Sequence, residues 1–466
     1  MINIVSWLQF QKLFSGVEKL GILGFGREGQ STYHAIRKVL PNLSILVFDQ
    51  KEPNPEVLHL LDNDVSITLH TGDNYLSQVI ECQMVVKAPG VPLKDLHTLA
   101  CNLNLVSQTE LFLNLYRNQV VGITGTKGKS TTTNLLFHIL LKAGKSVKLV
   151  GNIGIPPLDL VGQIGDKDII VFEMSSHQLE HSNVSPHIAV LLNIFEEHLD
   201  HYLSYKHYQL AKMNIAKNQR EEDVFICYPA NAQISQLLHE NLPKAELWSI
   251  GNTNSFENNV YCSGEDLIIN QQGKSFEIHG GCNAASLLGE HNKLNICAAV
   301  AVAHKLNLDQ QEILNGLKTF QGLPHRLEFV GTRKEIMFYN DSISTIPEST
   351  IAAIKALPAT STIILGGYDR GVNFSLLLEF LRNSTVTNLV FVGAAGRRMY
   401  EEGLFANGTI DKTCILCSTF TKAFHQAVRL TPANSICLLS PAASSYDEFK
   451  NFEHRGEFFK SLVNKL

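Results

Sequence analysis

The run GITGTKGKSTTT, Gly122 to Thr133, sets Gly122, Gly125 and Gly128 three residues apart and follows them with Lys129, Ser130 and Thr131. These residue types suit a polyphosphate. Glycines let backbone N–H groups close on phosphate oxygens, Lys129 adds a point charge, and the Ser130 hydroxyl offers an oxygen to a divalent metal. Such loops usually place a glycine five residues before the glycine of Gly-Lys-Ser, where this chain has Ile123. The apolar strand before the loop and the Thr-rich helix start after it preserve the reading of a bound nucleoside triphosphate. Its ligands would be Gly125, Thr126, Lys127, Gly128, Lys129, Ser130 and Thr131. Downstream, Glu173 ends the apolar run IIVFE, where a carboxylate reaches a metal on the phosphates. In EEHLDH, His198 follows another strand and faces the same region; His198 and His201 have the spacing of a zinc pair but lack a third ligand.

A second glycine turn, GFGREG from Gly24 to Gly29, lies between the apolar run Leu20–Leu23 and a helical pattern through Tyr33, Ile36, Val39 and Leu40. Asp49 ends the next strand, SILVFD, at the distance found in dinucleotide sites. The glycines themselves report only a diphosphate. A nicotinamide-dependent dehydrogenase would use this turn and leave the triphosphate loop unexplained. A noncatalytic ATP-binding regulator would keep the loop without Glu173, His198 and Lys212.

Positioning these groups requires strands that end in loops, and 466 residues are more than one core usually serves. KLGILGF, LSILVFD and MVVKAPG read as parallel strands of a first α/β unit, residues 1–107. VVGITGT, IIVFEM and IAVLLNIF belong to a second, 108–321, with a polar stretch of peripheral strands and loops between about 217 and 285. STIILGG, NLVFVG and SICLLSP belong to a third, 322–466. A net charge of −5 without a dense basic run excludes general attraction to nucleic acid or anionic membrane. The absence of a long uncharged apolar run predicts a cytoplasmic protein. The nine cysteines are scattered and predict no disulfide or zinc framework; Cys414 and Cys417 read as buried strand residues.

The motifs GITGTKGKST, GNIG, EMSSHQLE, NIFEEHLDHY, YQLAKMNI, GEHNKLN, LPHRLE, NDS, LGG and SPAASSYDEFKNFEHRG occur in the order of the Mur ligases, and the chain resembles that family through all three units. The resemblance implies an N-terminal Rossmann-like UDP-binding domain, a central P-loop ATPase-like domain and a C-terminal Rossmann-like domain. The implied reaction is ATP- and Mg²⁺-dependent addition of glutamate to UDP-N-acetylmuramoyl-L-alanine through an acyl phosphate, in peptidoglycan synthesis. By the same resemblance Gly24, Phe25, Gly26, Asp49, Gly90 and Asn152 hold the UDP-sugar. Ser130, Glu173, His198 and Lys212 serve metal, with Lys212 as a carbamate. Read from its own surroundings, Lys212 is a solvated helix lysine. Asn292 and Asn295 read adenine or its flank, although a helix cap is the plain alternative for Asn292. Arg326 brings a cation onto the γ-phosphate, Asp341 faces the ribose, and the position of both beyond the central unit implies closure over ATP. Lys129, His198, Lys212 and Arg326 are thus the catalytic set.

The glutamate pocket implied by the family comprises Thr345, Arg370, Ser445 and Phe452, with departures in its walls. Ile343 stands where a lysine is common, Arg370 replaces a lysine, and Tyr446 replaces a smaller apolar residue. Arginine keeps the charge but reads a carboxylate through a fork. D-Glutamate is the expected substrate and L-glutamate the alternative.

Overall fold

The computed structural model describes residues 4–61, 64–92, 103–151, 155–199, 201–251, 256–287, 289, 291–403 and 412–466. Three sheets organise them. The first is fully parallel, in the spatial order Ile67–Thr71, Ser44–Asp49, Lys19–Leu23, Met84–Lys87, Leu105–Ser107. The three strands expected here are present, and Ile67–Thr71 and Leu105–Ser107 flank them. The second sheet has nine strands. Its parallel part runs Val147–Gly151, Ile169–Glu173, Val120–Thr124, Ile188–Leu191, Val224–Cys227, Glu246–Ile250, Asn258–Ser263, and the hairpin Asp266–Gln271 and Lys274–Ile278 extends it antiparallel. The stretch expected to be peripheral therefore lengthens the central sheet.

Val120–Thr124 and Ile188–Leu191 are buried at every position, the pattern of strands covered on both faces. Ligand loops then fall at the carboxyl ends of such strands. One continuous core runs from Ile22 of the first sheet and the helix residue Phe10 to Phe172 of the second sheet and the helix residues Ile215 and Leu237. Both sheets accordingly share a compact unit, Met1–Ala285 with Glu290–Phe320. Polar side chains lace them together: Ser31 Oγ donates to Asp159 at 2.6 Å, Gln178 Nε2 donates to Glu28 at 2.7 Å, and Lys87 pairs with Glu180 at 3.1 Å with both side chains buried.

The remaining unit, Ser286–Gly289 with Gln321–Leu466, carries the third sheet in the order Glu328–Arg333, Ile336–Asn340, Ile436–Leu439, Thr360–Gly366, Asn388–Val392, Thr413–Cys417. Only Glu328–Arg333 runs antiparallel to its neighbour.

Among the described residues no helix is long and apolar enough to cross a membrane. The cysteine expectation is corrected: Cys262 and Cys282 form a disulfide, with Cα atoms 5.9 Å apart. They stand 20 residues apart in sequence, but the intervening antiparallel hairpin turns the chain back so that the helix Gly281–Ala284 meets the strand Asn258–Ser263. Cys414 and Cys417 are free thiols on the strand Thr413–Cys417, and half-buried rather than buried because that strand is the sheet's edge.

Candidate active site

Val120–Thr124 delivers the chain into the loop Gly125–Gly128, after which the helix Lys129–Lys142 begins. Gly125 and Gly128 have φ of 154° and 87°, and a Cβ on Gly128 would lie 2.3 Å from Asn295 Oδ1. Neither position admits a side chain without strain. The loop is tied from outside by Asn193, whose Oδ1 accepts from Lys127 N at 2.8 Å, and by Tyr208, whose hydroxyl lies 2.8 Å from Thr126 Oγ1. Backbone N–H groups at a 14-residue helix start, preceded by glycines packed this closely, form a cradle for phosphate.

Two lysines converge on this cradle. Lys129 Nζ donates to the carbonyls of Gly125 (2.9 Å) and Thr126 (3.0 Å), and Lys212 Nζ donates to the same Gly125 carbonyl at 2.8 Å. Lys212 lies on the helix Tyr205–Lys217 and is only 2% exposed, so the reading of a solvated helix lysine is corrected. Burial, reinforced by the Lys129 charge, holds its amine well below the ordinary lysine range. Lys127 instead pairs with Glu197 at 2.6 Å.

Glu173 is fully buried at the end of its strand, in register with Ile123 of the loop strand. His198 adopts φ 59° on the loop after Ile188–Leu191. His201 does not join His198 as a ligand pair; it turns to Glu180 at 3.4 Å, with its ring 4.0 Å from that of His177. Burial, together with the His201 and His198 rings, pushes His177 down to about 3, so it is neutral. Among the described residues, the set of three His, Cys, Asp or Glu side chains close enough to hold a metal unaided is Asp266, Glu277 and His279, away from the loop. The Ser130 hydroxyl and the Glu173 carboxylate are oxygen donors of the type a magnesium ion takes alongside waters and phosphate oxygens.

Asn292 and Asn295 reach the same loop from the helix His291–Lys305. Asn295 Nδ2 donates to Asn292 Oδ1 at 2.7 Å, and Asn295 Oδ1 accepts from Thr132 at 3.2 Å. Asn292 is inside that helix, so the cap alternative is corrected.

The first sheet ends in a cleft of about 450 Å³ lined by Gly24, Gly26, Asp49, Gly90, Lys51 and Tyr75 among others. Asp49 lines it while its carboxylate accepts from the backbone of Phe25 (2.8 Å) and Lys51 (3.0 Å), bracing the glycine turn. The Phe25 ring is buried against Tyr33. Asn152 lies outside the described residues. Lys51 and Tyr75 escaped sequence reasoning because they sit in loops without a motif.

In the unit that carries the third sheet, Asp341 is 2% exposed and accepts from Leu327 N at 3.2 Å and Ser440 Oγ at 2.8 Å, beside the exposed Arg326. Burial raises its carboxyl to about 6. An acid raised on folding binds its proton more tightly in the native state, so stability falls as pH climbs from the unfolded value through about 6. Asp341→Asn is expected to remove this dependence. Urea unfolding of both proteins between pH 4 and pH 7 tests it, and parallel profiles would reject the assignment.

Thr345, Arg370 and Ser445 lie in loops and Phe452 opens the helix Phe452–Asn464, and the structure links these segments. Tyr368 N donates to Ser444 O at 2.9 Å, Ala442 N to Ser344 O at 2.9 Å, and Ser342 Oγ to Phe452 O at 2.8 Å. Arg455, not among the expected residues, is 1% exposed at their junction. Its guanidinium donates to Ser342 Oγ and to the carbonyls of Ser342, Ala443 and Ser444. Arg370 is exposed, and Ser445 is buried.

A profile of the Mur ligase middle domain matches residues 123–303. The UDP-N-acetylmuramoylalanine--D-glutamate ligase of Desulfitobacterium hafniense is 31% identical over 458 residues, 96% of this chain and 98% of that protein. The enzyme of the same name from Clostridioides difficile is 33% identical over 460 residues, 96% and 99%. Among solved structures, MurF from Acinetobacter baumannii shares the fold with a TM-score of 0.59 at 19% identity, covering 84% of this chain and 88% of that one. MurF from Thermotoga maritima, in complex with ADP, has a TM-score of 0.55 at 17% identity, covering 97% and 96%. With relatives above 30% identity matching over nearly their whole length, the chain belongs to the Mur ligase family.

Proposed function

We propose that this ligase joins D-glutamate to UDP-N-acetylmuramoyl-L-alanine with conversion of ATP to ADP and phosphate, in the cytoplasm, as a step of peptidoglycan synthesis. The observation that carries the reading is a diphosphate-type glycine cleft and a triphosphate-type loop in one compact unit. Near-full-length likeness to D-glutamate ligases supports it. Residues 1–107 would take the UDP-sugar, 108–321 ATP, and 322–466 the amino acid.

ATP supplies the phosphoryl group that turns the alanyl carboxylate into an acyl phosphate, and the amine of glutamate displaces phosphate from it. Carboxylate and γ-phosphate are both anions; two unit charges 4 Å apart repel by about 4 kcal/mol at an effective dielectric near 20. Lys129 and the loop N–H groups offset that repulsion. Ser130, Glu173, His198 and carbamylated Lys212 would hold Mg²⁺, which screens phosphate charge when bound. Asn292 and Asn295 would border the nucleotide, Arg326 would face the γ-phosphate and Asp341 the ribose. Gly24, Gly26, Gly90 and Asn152 would contact the UDP-sugar, with Phe25 and Asp49 shaping the turn.

Thr345, Arg370, Ser445 and Phe452 would hold glutamate, Arg370 as the cation for a carboxylate. Ile343 in place of the usual lysine keeps L-glutamate as a second reading. Phosphate release measured with UDP-N-acetylmuramoyl-L-alanine and each glutamate isomer decides between them, and a preference for the L-isomer would overturn the first. Arg370→Ala is expected to weaken glutamate use on the order of a hundredfold, since a carboxylate left without its cation loses several kcal/mol. The ATP and UDP-sugar constants should stay unchanged. Indifference to residue 370 would remove it from the pocket.

A further inference from the structure

The helix Tyr205–Lys217 has two working faces. Tyr208 and Lys212, four residues apart, share the side that meets the phosphate loop. At about 100° per residue, Leu210, Met213 and Lys217 fall roughly half a turn away. That rear face borders a cleft of about 800 Å³, closed on its other side by Leu237, Leu242, Pro243 and Lys244.

The cleft joins an apolar patch to a polar wall that carries Lys217, Arg220 and Lys244 against Glu221 and Glu222. Met213 and Leu237 are buried, whereas Leu210 and Leu242 are 41% and 61% exposed. Two exposed leucines facing one depression form a contiguous apolar surface. Of the charged groups lining it, Arg220 faces Glu222 at 3.7 Å, which leaves Lys217 and Lys244 against Glu221. This local excess of positive charge stands on a chain of net charge −5. The wall at 219–223 is held fast. Gln219 Nε2 donates to the carbonyls of Pro186, His187 and Val224, and fully buried Asp223 accepts from Arg220 N at 2.7 Å and contacts His187 Nδ1 at 2.9 Å. A hollow that sets an apolar patch beside a few charged groups can hold a small molecule by both.

We propose that this cleft binds an amphipathic anion, with its apolar body over Met213, Leu237 and Leu242 and its charge toward Lys217 and Lys244.

Titration of the full chain with 8-anilinonaphthalene-1-sulfonate tests this. Saturable fluorescence is expected, unaffected by excess UDP or ADP. The Lys217→Glu/Lys244→Glu variant should bind at least tenfold more weakly, and Leu242→Glu, altered at an exposed position, should weaken it as well. Binding that UDP or ADP displaces, or that ignores the charge reversal, would overturn the proposal. So would a dimer in sedimentation that Leu242→Glu dissociates, because the cleft would then be the seat of a second copy. Each readout is a binding measurement, so it stands or fails apart from the proposed reaction.

Discussion

Lys129→Ala is expected to lower ligation on the order of a thousandfold, the scale seen when a charge or donor aimed at a reacting oxyanion is removed. The loop leaves few substitutes. Lys127 is drawn to Glu197 and burial disfavours a charge on Lys212, so the Lys129 ammonium is the cation best placed for the phosphates. Because its ammonium also bridges the carbonyls of Gly125 and Thr126, the variant loses two loop contacts as well. Calorimetric titration separates the effects: UDP-sugar affinity should persist, since its cleft is lined by other residues, while ATP affinity and turnover fall together. Near-normal turnover would falsify the phosphate-loop assignment.

Lys212→Ala should cost a comparable factor, for a different reason. A lysine 2% exposed beside another lysine is disfavoured as an ammonium, and a neutral amine is the form that attacks CO₂. Carbamylation would bond Nζ to the carbon and release a proton to solvent, turning a neutral amine into an anion in reach of the Gly125 loop. Short carboxylic acids added to Lys212→Ala should restore part of the rate by occupying the position of the lost carbamate. Lys212→Met is expected to melt no lower than the wild type, because an apolar chain of similar length suits a buried site, yet to be inactive. A fully active Lys212→Ala enzyme in CO₂-depleted buffer would reduce Lys212 to a packing residue.

Both glycine turns were legible because a loop that wraps phosphate writes its requirement into neighbouring residues: the glycines, the lysine and the flanking strand lie within a dozen positions. The parallel strands were legible for a similar reason, as buried runs of apolar residues. What lay hidden depends on residues distant in sequence. Lys212 reads as an ordinary helix lysine until the helix packs it against Gly125, 87 positions away. Arg455 is a motif arginine whose work becomes visible when Ser342 and Ser444 close around it. Cys262 and Cys282 meet because a hairpin returns between them, and the segments proposed for glutamate come from several places in the chain rather than from one stretch.

The ties between the first two sheets have a consequence for which substrates are accepted. Lys87 with Glu180, Ser31 with Asp159 and Glu28 with Gln178 fasten the glycine-turn cleft to the part of the unit whose helices bear Lys129 and Lys212. Both lie in one compact unit, so under the proposed reaction the span from pyrophosphate to reacting carboxylate would be set like the jaws of a caliper. Precursors would then be gauged by length: a molecule one residue shorter or longer would present its carboxylate short of the phosphate loop or beyond it, however well its uridine is held.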